Sequence, residues 1–175
     1  MVFQTDTLPA IGCLPEFSDS IYLAKKREKN KALILMGSNI SQFIEYVHKS
    51  AIDDLRKLGN KYWPGALTIV VPTSHNINLK FISNENTLGL RIPNSKTAKA
   101  FIDETGPLAT SSANISGEAT ALTAEEVCKV LPNINFLGPI PWDSCSGEAS
   151  TIILWVSKDS WKLLRQGQIS IPNLQ

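Results

Sequence analysis

Short apolar runs bounded by proline or polar residues constrain the fold of this chain more than any other feature. They occur at residues 32–36, 67–71, 87–92 and 150–156. The first is continuously apolar, as expected for a buried strand, and the others are rich in β-branched side chains. Pro72 and Pro93 directly follow the second and third runs, so we expect those two strands to end there.

Segments with helical spacing of apolar residues separate these strands. They are predicted at residues 19–26, 41–47, 50–58, 95–104 and 123–131. Ser18 would cap the first helix, Gly59 would end the third, and Thr123 with Glu126 forms a capping box. Strands and helices intermix without a strict βαβ rhythm, which favours an α/β or α+β fold with a mixed sheet. With 175 residues, 43% of them hydrophobic, we expect one domain.

Composition excludes several classes of protein. The formal net charge is +1, so no global field directs the chain to nucleic acid or to an anionic membrane. Cys13, Cys128 and Cys145 are widely spaced, which is typical of free thiols in a reducing compartment. Only two histidines are present, outside any metal-ligand spacing, and no apolar run approaches the roughly 20 residues of a membrane span. We therefore expect a soluble cytoplasmic protein with no membrane partner.

The segment 107–117 combines an apolar start with hydroxyl side chains, an asparagine and a Ser-Gly break. In an extended chain, residues two apart point to the same face, so Ser112 and Asn114 would project together. A hydroxyl beside a carboxamide suits the binding of a phosphate, a carboxylate or a base edge. A turn that only closes a loop explains the same residues, and both interpretations remain open.

The strongest cationic cluster covers residues 25–31, five of which are lysine or arginine. Such a run is typical of a solvated helix C-terminus. Lys25 and Arg27 do not share a helix face, however, so a common site requires the helix to end about there. A cationic loop before the strand at 32–36 could then hold a polyphosphate. Arg91, at the end of an apolar strand, could pair with a carboxylate of the fold or with an anionic ligand.

Seven short motifs, each weakly informative alone, follow one another in a specific order. They are Thr5-Asp-Thr7, Lys25-x-Arg27-x3-Lys31, Trp63-Pro-Gly65, Leu90-Arg-Ile-Pro93, Ser112-Ala-Asn114-x-Ser-Gly117, Ser150-Thr-Ile152 and Leu164-Arg-x-Gly167. In order and spacing, over about residues 2–171, the chain resembles the YrdC-like family of threonylcarbamoyl-AMP synthases.

The resemblance implies a YrdC/RibB-like fold, in which helices and a twisted mixed sheet surround a concave, positively charged cavity. It also implies a nucleotidyltransferase that condenses L-threonine, bicarbonate and ATP into threonylcarbamoyl-AMP and pyrophosphate. Mg²⁺ would be held through the ATP phosphates, with no metal site on the protein. A partner complex would pass the product to tRNA, forming threonylcarbamoyladenosine, and the domain has been associated with double-stranded RNA.

Roles for individual residues follow from the same resemblance. The implied catalytic residues are Lys25, Arg27, Ser112 and Asn114; the implied ATP-binding residues are Arg27, Lys31, Thr87, Ser112, Thr120 and Arg165; and the implied threonine-binding residues are Thr7, Met36, Arg91, Thr110 and Ser150.

The chain departs from the family pattern near its start. The family reads Pro-Thr-Asp/Glu-Thr-Val-Tyr-Gly-Leu where this chain has Gln4, and where Pro9 replaces an aromatic residue beside the substrate. The family's first helix and part of its first strand would be missing, as would the C-terminal domain of longer members. Besides the synthase, a second possibility is therefore a non-catalytic module that binds nucleotide or double-stranded RNA. A third is a carbamoyl-adenylate-forming relative of hydrogenase-maturation proteins. Oligomeric state and transfer partner stay open.

Overall fold

The computed structural model describes residues 1–75, 77, 79–83 and 85–172, and within them eight strands form one sheet. The strands are β1 (Val2–Phe3), β2 (Ala10–Cys13), β3 (Ile34–Met36), β4 (Leu67–Pro72), β5 (Thr87–Arg91), β6 (Leu108–Ser112), β7 (Thr151–Ser157) and β8 (Ser160–Arg165). The α-helices are α1 (Asp19–Lys25), α2 (Ile52–Tyr62), α3 (Lys96–Thr105) and α4 (Ala124–Val130), and 3₁₀ helices span Pro15–Phe17, Ile40–Tyr46 and Lys49–Ala51.

The strand order is β1-β2-β6-β3-β5-β4-β7-β8, with parallel and antiparallel neighbours in one sheet. β3 runs parallel to β5, and β4 runs parallel to β7, whereas the other neighbouring pairs are antiparallel. The expected mixed sheet of the α/β (α+β) class is therefore confirmed.

The two faces of the sheet differ in how they are covered. On one face Leu35, Leu90 and Ile153 are fully buried in the main hydrophobic core. Their neighbours along the strands, such as Ile34 and Ile152, point to the opposite face and are only half-buried. The second face is therefore partly open, and it carries the candidate site.

A smaller core closes one end of this second face. Ala98 and Ile102 of α3 pack with Phe3, Met36 and Leu108 from the strands. Ser95 caps α3 by accepting a hydrogen bond from the backbone N–H of Ala98 at 3.2 Å. α3 therefore covers the end of this face that carries Met36 and Leu108.

Most strand predictions and the capping box at Thr123 are confirmed, but β2 is not among the strands that the sequence predicts. β2 has four residues and contains Gly12, so it carries a weak strand signal. A Cβ at Gly12 would lie 2.9 Å from Cε1 of Phe3, which shows why the strand requires glycine there.

Two details of the predicted helix ends are wrong, although α1 begins directly after Ser18 as predicted. Ser18 makes no capping hydrogen bond, and its buried hydroxyl has no partner in the described part of the chain. α2 continues past Gly59 to Tyr62, and the glycine instead accommodates Trp63, whose Cε3 would lie 2.8 Å from a Cβ at position 59. The predicted helix at 41–47 is a 3₁₀ helix capped by Asn39.

The longest of the described helices, α2, has 11 residues. No helix in that part of the chain combines the length and the apolar character needed to cross a membrane.

Candidate functional site

A cavity of about 240 Å³ opens on the partly exposed face of the sheet, where residues from six strands and the turn after β1 meet. Its polar lining consists of Thr5, Thr7, Arg27, Arg91, Thr110, Ser111, Ser112, Ser150 and Arg165. Its apolar lining consists of Leu8, Pro9, Ala10, Ala32, Ile34, Met36, Ala149 and Ile152. Among the described residues that line it, three carry a guanidinium group and none carries a carboxylate, so the wall itself attracts anions.

Arg91 leaves the end of β5 and is held by the turn that follows β1. Its Nη2 donates to Oδ1 of Asp6 at 2.7 Å, its Nη1 donates to Oγ1 of Thr7 at 2.7 Å, and its Nε donates to the Gly65 carbonyl at 3.2 Å. The backbone N–H of Asn94 also donates to Oδ1 of Asp6. Burial lowers the pKa of the Arg91 guanidinium, while the Asp6 carboxylate raises it. The charge of Arg91 is therefore compensated inside the protein.

Arg165 lies at the end of β8, beside the start of β7. Its Nη2 donates to the Ser150 carbonyl at 2.9 Å, and the Ser150 hydroxyl forms a 2.8 Å hydrogen bond with that of Thr68. A Cβ at Gly167 would lie 2.2 Å from the Ala149 carbonyl oxygen, so this close approach requires glycine. No carboxylate of the described residues forms an ion pair with Arg165, and burial lowers its pKa.

Lys25 is the last residue of α1, and Lys26 follows it in the left-handed conformation, with φ of 50°. The predicted end of the helix is therefore confirmed. The Lys25 Nζ donates to the carbonyl of Ser112, to the carbonyl of Asn114 at 2.5 Å and to Oδ1 of Asn114 at 3.0 Å. The residue is 1% exposed, and burial, followed by the nearby charge of Arg27, lowers its pKa to about 8. Its ammonium group contacts the turn after β6, and Lys25 is not among the residues that line the cavity.

Ser112 and Asn114 lie side by side, as the segment 107–117 predicts. The Ser112 hydroxyl donates to Oδ1 of Asn114 at 2.6 Å. The Asn114 Nδ2 donates to the carbonyls of Ile115 and Glu118 at 2.9 and 2.7 Å. Ser112 lines the cavity, whereas Asn114 is 8% exposed and supports Ser112 from behind.

Arg27 extends the cationic loop to the cavity. Its Nε donates to the Lys31 carbonyl at 3.2 Å, and its Nη2 donates to the Ala32 carbonyl at 2.9 Å. These neutral acceptors orient the guanidinium without neutralising it. The Lys31 ammonium is exposed and lies 3.7 Å from the Glu28 carboxylate, outside the cavity lining.

Of the other implied site residues, some line the cavity and some lie outside it. Met36 and Thr110 line the cavity, whereas Thr87 and Thr120 do not. The Thr87 hydroxyl lies 2.6 Å from that of Ser83 at the start of β5, on the same sheet face as Arg91. Thr120 belongs to the long loop between β6 and α4.

Sequence reasoning missed the supporting roles of Asp6 and Thr68. Asp6 lies between the two threonines of the Thr5–Thr7 turn, and a buried arginine requires such a carboxylate. The sequence feature that could have identified Asp6 was therefore Arg91, whose charge at the end of an apolar strand requires a carboxylate partner. Thr68 looked like an ordinary strand residue, and nothing in the sequence indicates its contact with Ser150.

Fold and site together define a mixed-sheet protein with an arginine-lined cavity on its open face. A family model described as "Telomere recombination", that of the Sua5/YciO/YrdC domain, matches residues 1–167. The chain belongs to this family.

Similar proteins agree with this assignment. The threonylcarbamoyl-AMP synthase of Idiomarina loihiensis is 30% identical over 132 residues, which cover 73% of this chain and 71% of that protein. The synthase of Bacillus subtilis is also 30% identical, over 100% of this chain and 51% of its own length.

Solved structures show the same fold. P. abyssi Sua5 complexed with L-threonine has a TM-score of 0.85 and 26% identity, over 95% of this chain and 49% of that one. E. coli YciO, at 21% identity and a TM-score of 0.76, covers 95% of this chain and 82% of its own, and supports the fold alone. The chain thus spans about half the length of the B. subtilis and P. abyssi proteins.

Proposed function

We propose that the protein is an L-threonylcarbamoyladenylate synthase, a nucleotidyltransferase that condenses L-threonine, bicarbonate and ATP into threonylcarbamoyl-AMP and pyrophosphate. The observation that carries this proposal is the excess of cationic groups in one cavity. Arg27, Arg91 and Arg165 line it, and only Arg91 has a carboxylate partner, Asp6, among the described residues. The names of the relatives and the threonine complex of P. abyssi Sua5 support the choice of reaction.

The amino acid would bind at the buried end of the cavity, near Arg91. Arginine has five N–H donors, and three of those of Arg91 are already used on Asp6, Thr7 and Gly65. Two donors remain for the carboxylate of threonine. Hydroxyls of Thr7, Thr110 and Ser150 line the same cavity and can bind the other polar groups of the amino acid.

The nucleotide would bind toward Arg27 and Ser112. The Arg27 guanidinium retains three N–H donors, and its charge has no carboxylate partner among the described residues. Arg165 would hold the phosphates from the other side, and exposed Lys31 would reach them at the rim. Thr87 lies further along the same open face, whereas the role of Thr120 rests on the resemblance alone.

The reaction needs no nucleophile from the protein. The threonine amine reacts with bicarbonate, or with the carbon dioxide that bicarbonate releases, to form a C–N bond and a carbamate, and one water molecule leaves. A carbamate oxygen then attacks the α-phosphorus of ATP. A new P–O bond forms as the bond to pyrophosphate breaks, and the guanidinium groups stabilise the developing charge. Among the described residues no cluster of three His, Cys, Asp or Glu side chains could hold a metal. The family resemblance implies that Mg²⁺ is held through the phosphate oxygens of ATP, where it would supply charge neutralisation.

A second candidate is a nucleotide-binding module without synthase activity. Pro9 lines the cavity at the position of the family's aromatic residue, so the amino-acid end lacks that ring. Such a module could bind double-stranded RNA, whereas the synthase would meet tRNA only through a threonylcarbamoyl transferase complex.

Pyrophosphate release from ATP separates these functions. The synthase releases pyrophosphate only when L-threonine and bicarbonate are both present, and threonylcarbamoyl-AMP appears in equal amount. Pyrophosphate release that does not depend on threonine would reject the synthase. ATP binding without any pyrophosphate release would also reject it and would favour the module.

A further inference from the structure

The ammonium group of Lys25 has no donor left for a ligand. A lysine ammonium carries three N–H bonds, and three oxygens surround it: the carbonyls of Ser112 and Asn114 and the Oδ1 of Asn114. The residue is 1% exposed and is not part of the cavity lining. To contact a phosphate, the ammonium group would have to give up its hydrogen bonds to these carbonyls.

The same cluster determines the direction of the Ser112 hydroxyl. Both N–H bonds of the Asn114 side chain point to the carbonyls of Ile115 and Glu118, which identifies its other terminal atom as the oxygen. An amide oxygen only accepts hydrogen bonds, so the Ser112 O–H must be the donor in their 2.6 Å contact. The proton of Ser112 is thereby held away from the cavity, and its oxygen lone pairs remain available there.

We infer that Lys25 is a positioning residue that holds the turn at 112–114, and that Ser112 presents an acceptor alone to the cavity. The ligand atom that meets Ser112 is then an N–H or O–H donor, from an amino or carbamate nitrogen or from a sugar hydroxyl. A phosphate or carboxylate oxygen would meet only lone pairs there. This inference rests on the proposed function, and it departs from the prediction that Lys25 grips the phosphates.

The variant Ser112→Ala tests the acceptor with ligands of opposite hydrogen-bonding character. Pyrophosphate offers almost only acceptors, so its affinity, measured by calorimetry, should stay within about twofold of wild type. The affinity for ATP or for L-threonine should fall about five- to tenfold, as expected for one lost hydrogen bond. Ser112→Thr, which keeps the hydroxyl, is the matched control and should retain both affinities.

The identity of the donor follows from the ligand that is affected. If ATP binding weakens, 2′-deoxy-ATP and 3′-deoxy-ATP identify which ribose hydroxyl is the donor. The analogue that lacks this hydroxyl should bind wild type more weakly than ATP does, but should bind Ser112→Ala as well as ATP does. If threonine binding weakens, the donor is its amino group or its hydroxyl. A tenfold loss of pyrophosphate affinity, or unchanged affinity for both ATP and threonine, overturns the acceptor role. A wild-type protein that binds neither substrate instead overturns the proposed function.

Lys25→Met removes the ammonium at nearly constant length and tests positioning against phosphate binding. A positioning role predicts similar losses for AMP and ATP, and no further loss when Ser112→Ala is added. Arg27→Met is the phosphate-facing comparison, with a loss that grows from AMP to ATP. A Lys25→Met loss that is tenfold greater for ATP than for AMP overturns the inference.

A measurement on the wild-type protein keeps this part testable if Lys25→Met does not fold. Reductive methylation should modify exposed Lys26 and leave Lys25 unmodified, both without ATP and with it. Modification of Lys25 in the free protein that ATP then blocks would place the ammonium in the cavity and overturn the inference.

Discussion

The two sides of the cavity hold their cationic groups in different ways. On the compensated side, Arg91 forms a 2.7 Å ion pair with Asp6, and both side chains are largely buried. On the uncompensated side, Arg27 lines the cavity and donates only to neutral oxygens of the protein, as does Lys25, which is not part of the lining. The first side is nearly neutral without a ligand, whereas the second has a positive charge that a ligand can neutralise.

Because of this difference, we expect the compensated side to contribute mainly to the stability of the fold and the uncompensated side mainly to ligand binding. A buried charge that loses its partner costs several kcal/mol, so the Asp6–Arg91 pair is part of the folded structure. A half-buried guanidinium held by carbonyls can be removed with little loss of packing. The ligand, however, then loses its attraction to that positive charge. Substitutions on the two sides should therefore affect different measurements.

Asp6→Asn should produce the largest effect on stability. The amide keeps the shape of the carboxylate but leaves the buried Arg91 charge without a partner, at a cost of about 3–5 kcal/mol in the free energy of unfolding. Denaturant unfolding measures this cost. Asp159→Asn is the matched control, because the Lys57–Asp159 pair is exposed and its loss should leave the free energy of unfolding nearly unchanged. Equal effects of the two substitutions would contradict the assigned compensation.

Arg27→Met should mainly affect binding. The loss of a charge-assisted contact is worth about 1.5–3 kcal/mol, so ATP affinity should fall roughly ten- to a hundredfold. The free energy of unfolding should change by less than about 1 kcal/mol, because no buried carboxylate is left behind. Lys49→Met, which removes an exposed charge outside the cavity lining, is the control and should retain ATP affinity. An ATP affinity that Arg27→Met leaves unchanged would remove this residue from the site.

The sequence predicts the uncompensated side better than the compensated one. Lys25 and Arg27 are close in the chain, and the end of α1 between them follows from local rules. The Asp6–Arg91 pair joins residues 85 positions apart, and only the assembled sheet brings them together. The direction of the Lys25 ammonium was unpredictable for the same reason, since its acceptors lie 87 and 89 positions away.

The pH dependence of stability should reveal the uncompensated charge of Lys25. Its pKa is about 8 in the folded protein, against a reference value of 10.5, because burial penalises the ammonium. Between these values the unfolded chain binds more protons than the folded one, so the free energy of unfolding should rise with pH. We expect a rise on the order of 1 kcal/mol between pH 8 and 10 relative to Lys25→Met. Lys49→Met should follow wild type, and a Lys25→Met profile parallel to both would contradict the prediction.

Thr68→Val should have the smallest effect, on a neutral pair that supports the amino-acid end of the cavity. The substitution conserves shape but removes the 2.8 Å hydrogen bond to the buried Ser150 hydroxyl. We expect a loss of about 0.5–1 kcal/mol in the free energy of unfolding, measured by denaturant, because the Ser150 hydroxyl then keeps only its 3.5 Å contact with Nη2 of Arg165. The double variant Thr68→Val/Ser150→Ala should recover part of this loss, because it removes both hydroxyls. A double variant that loses the sum of the single effects would show that the two hydroxyls act independently.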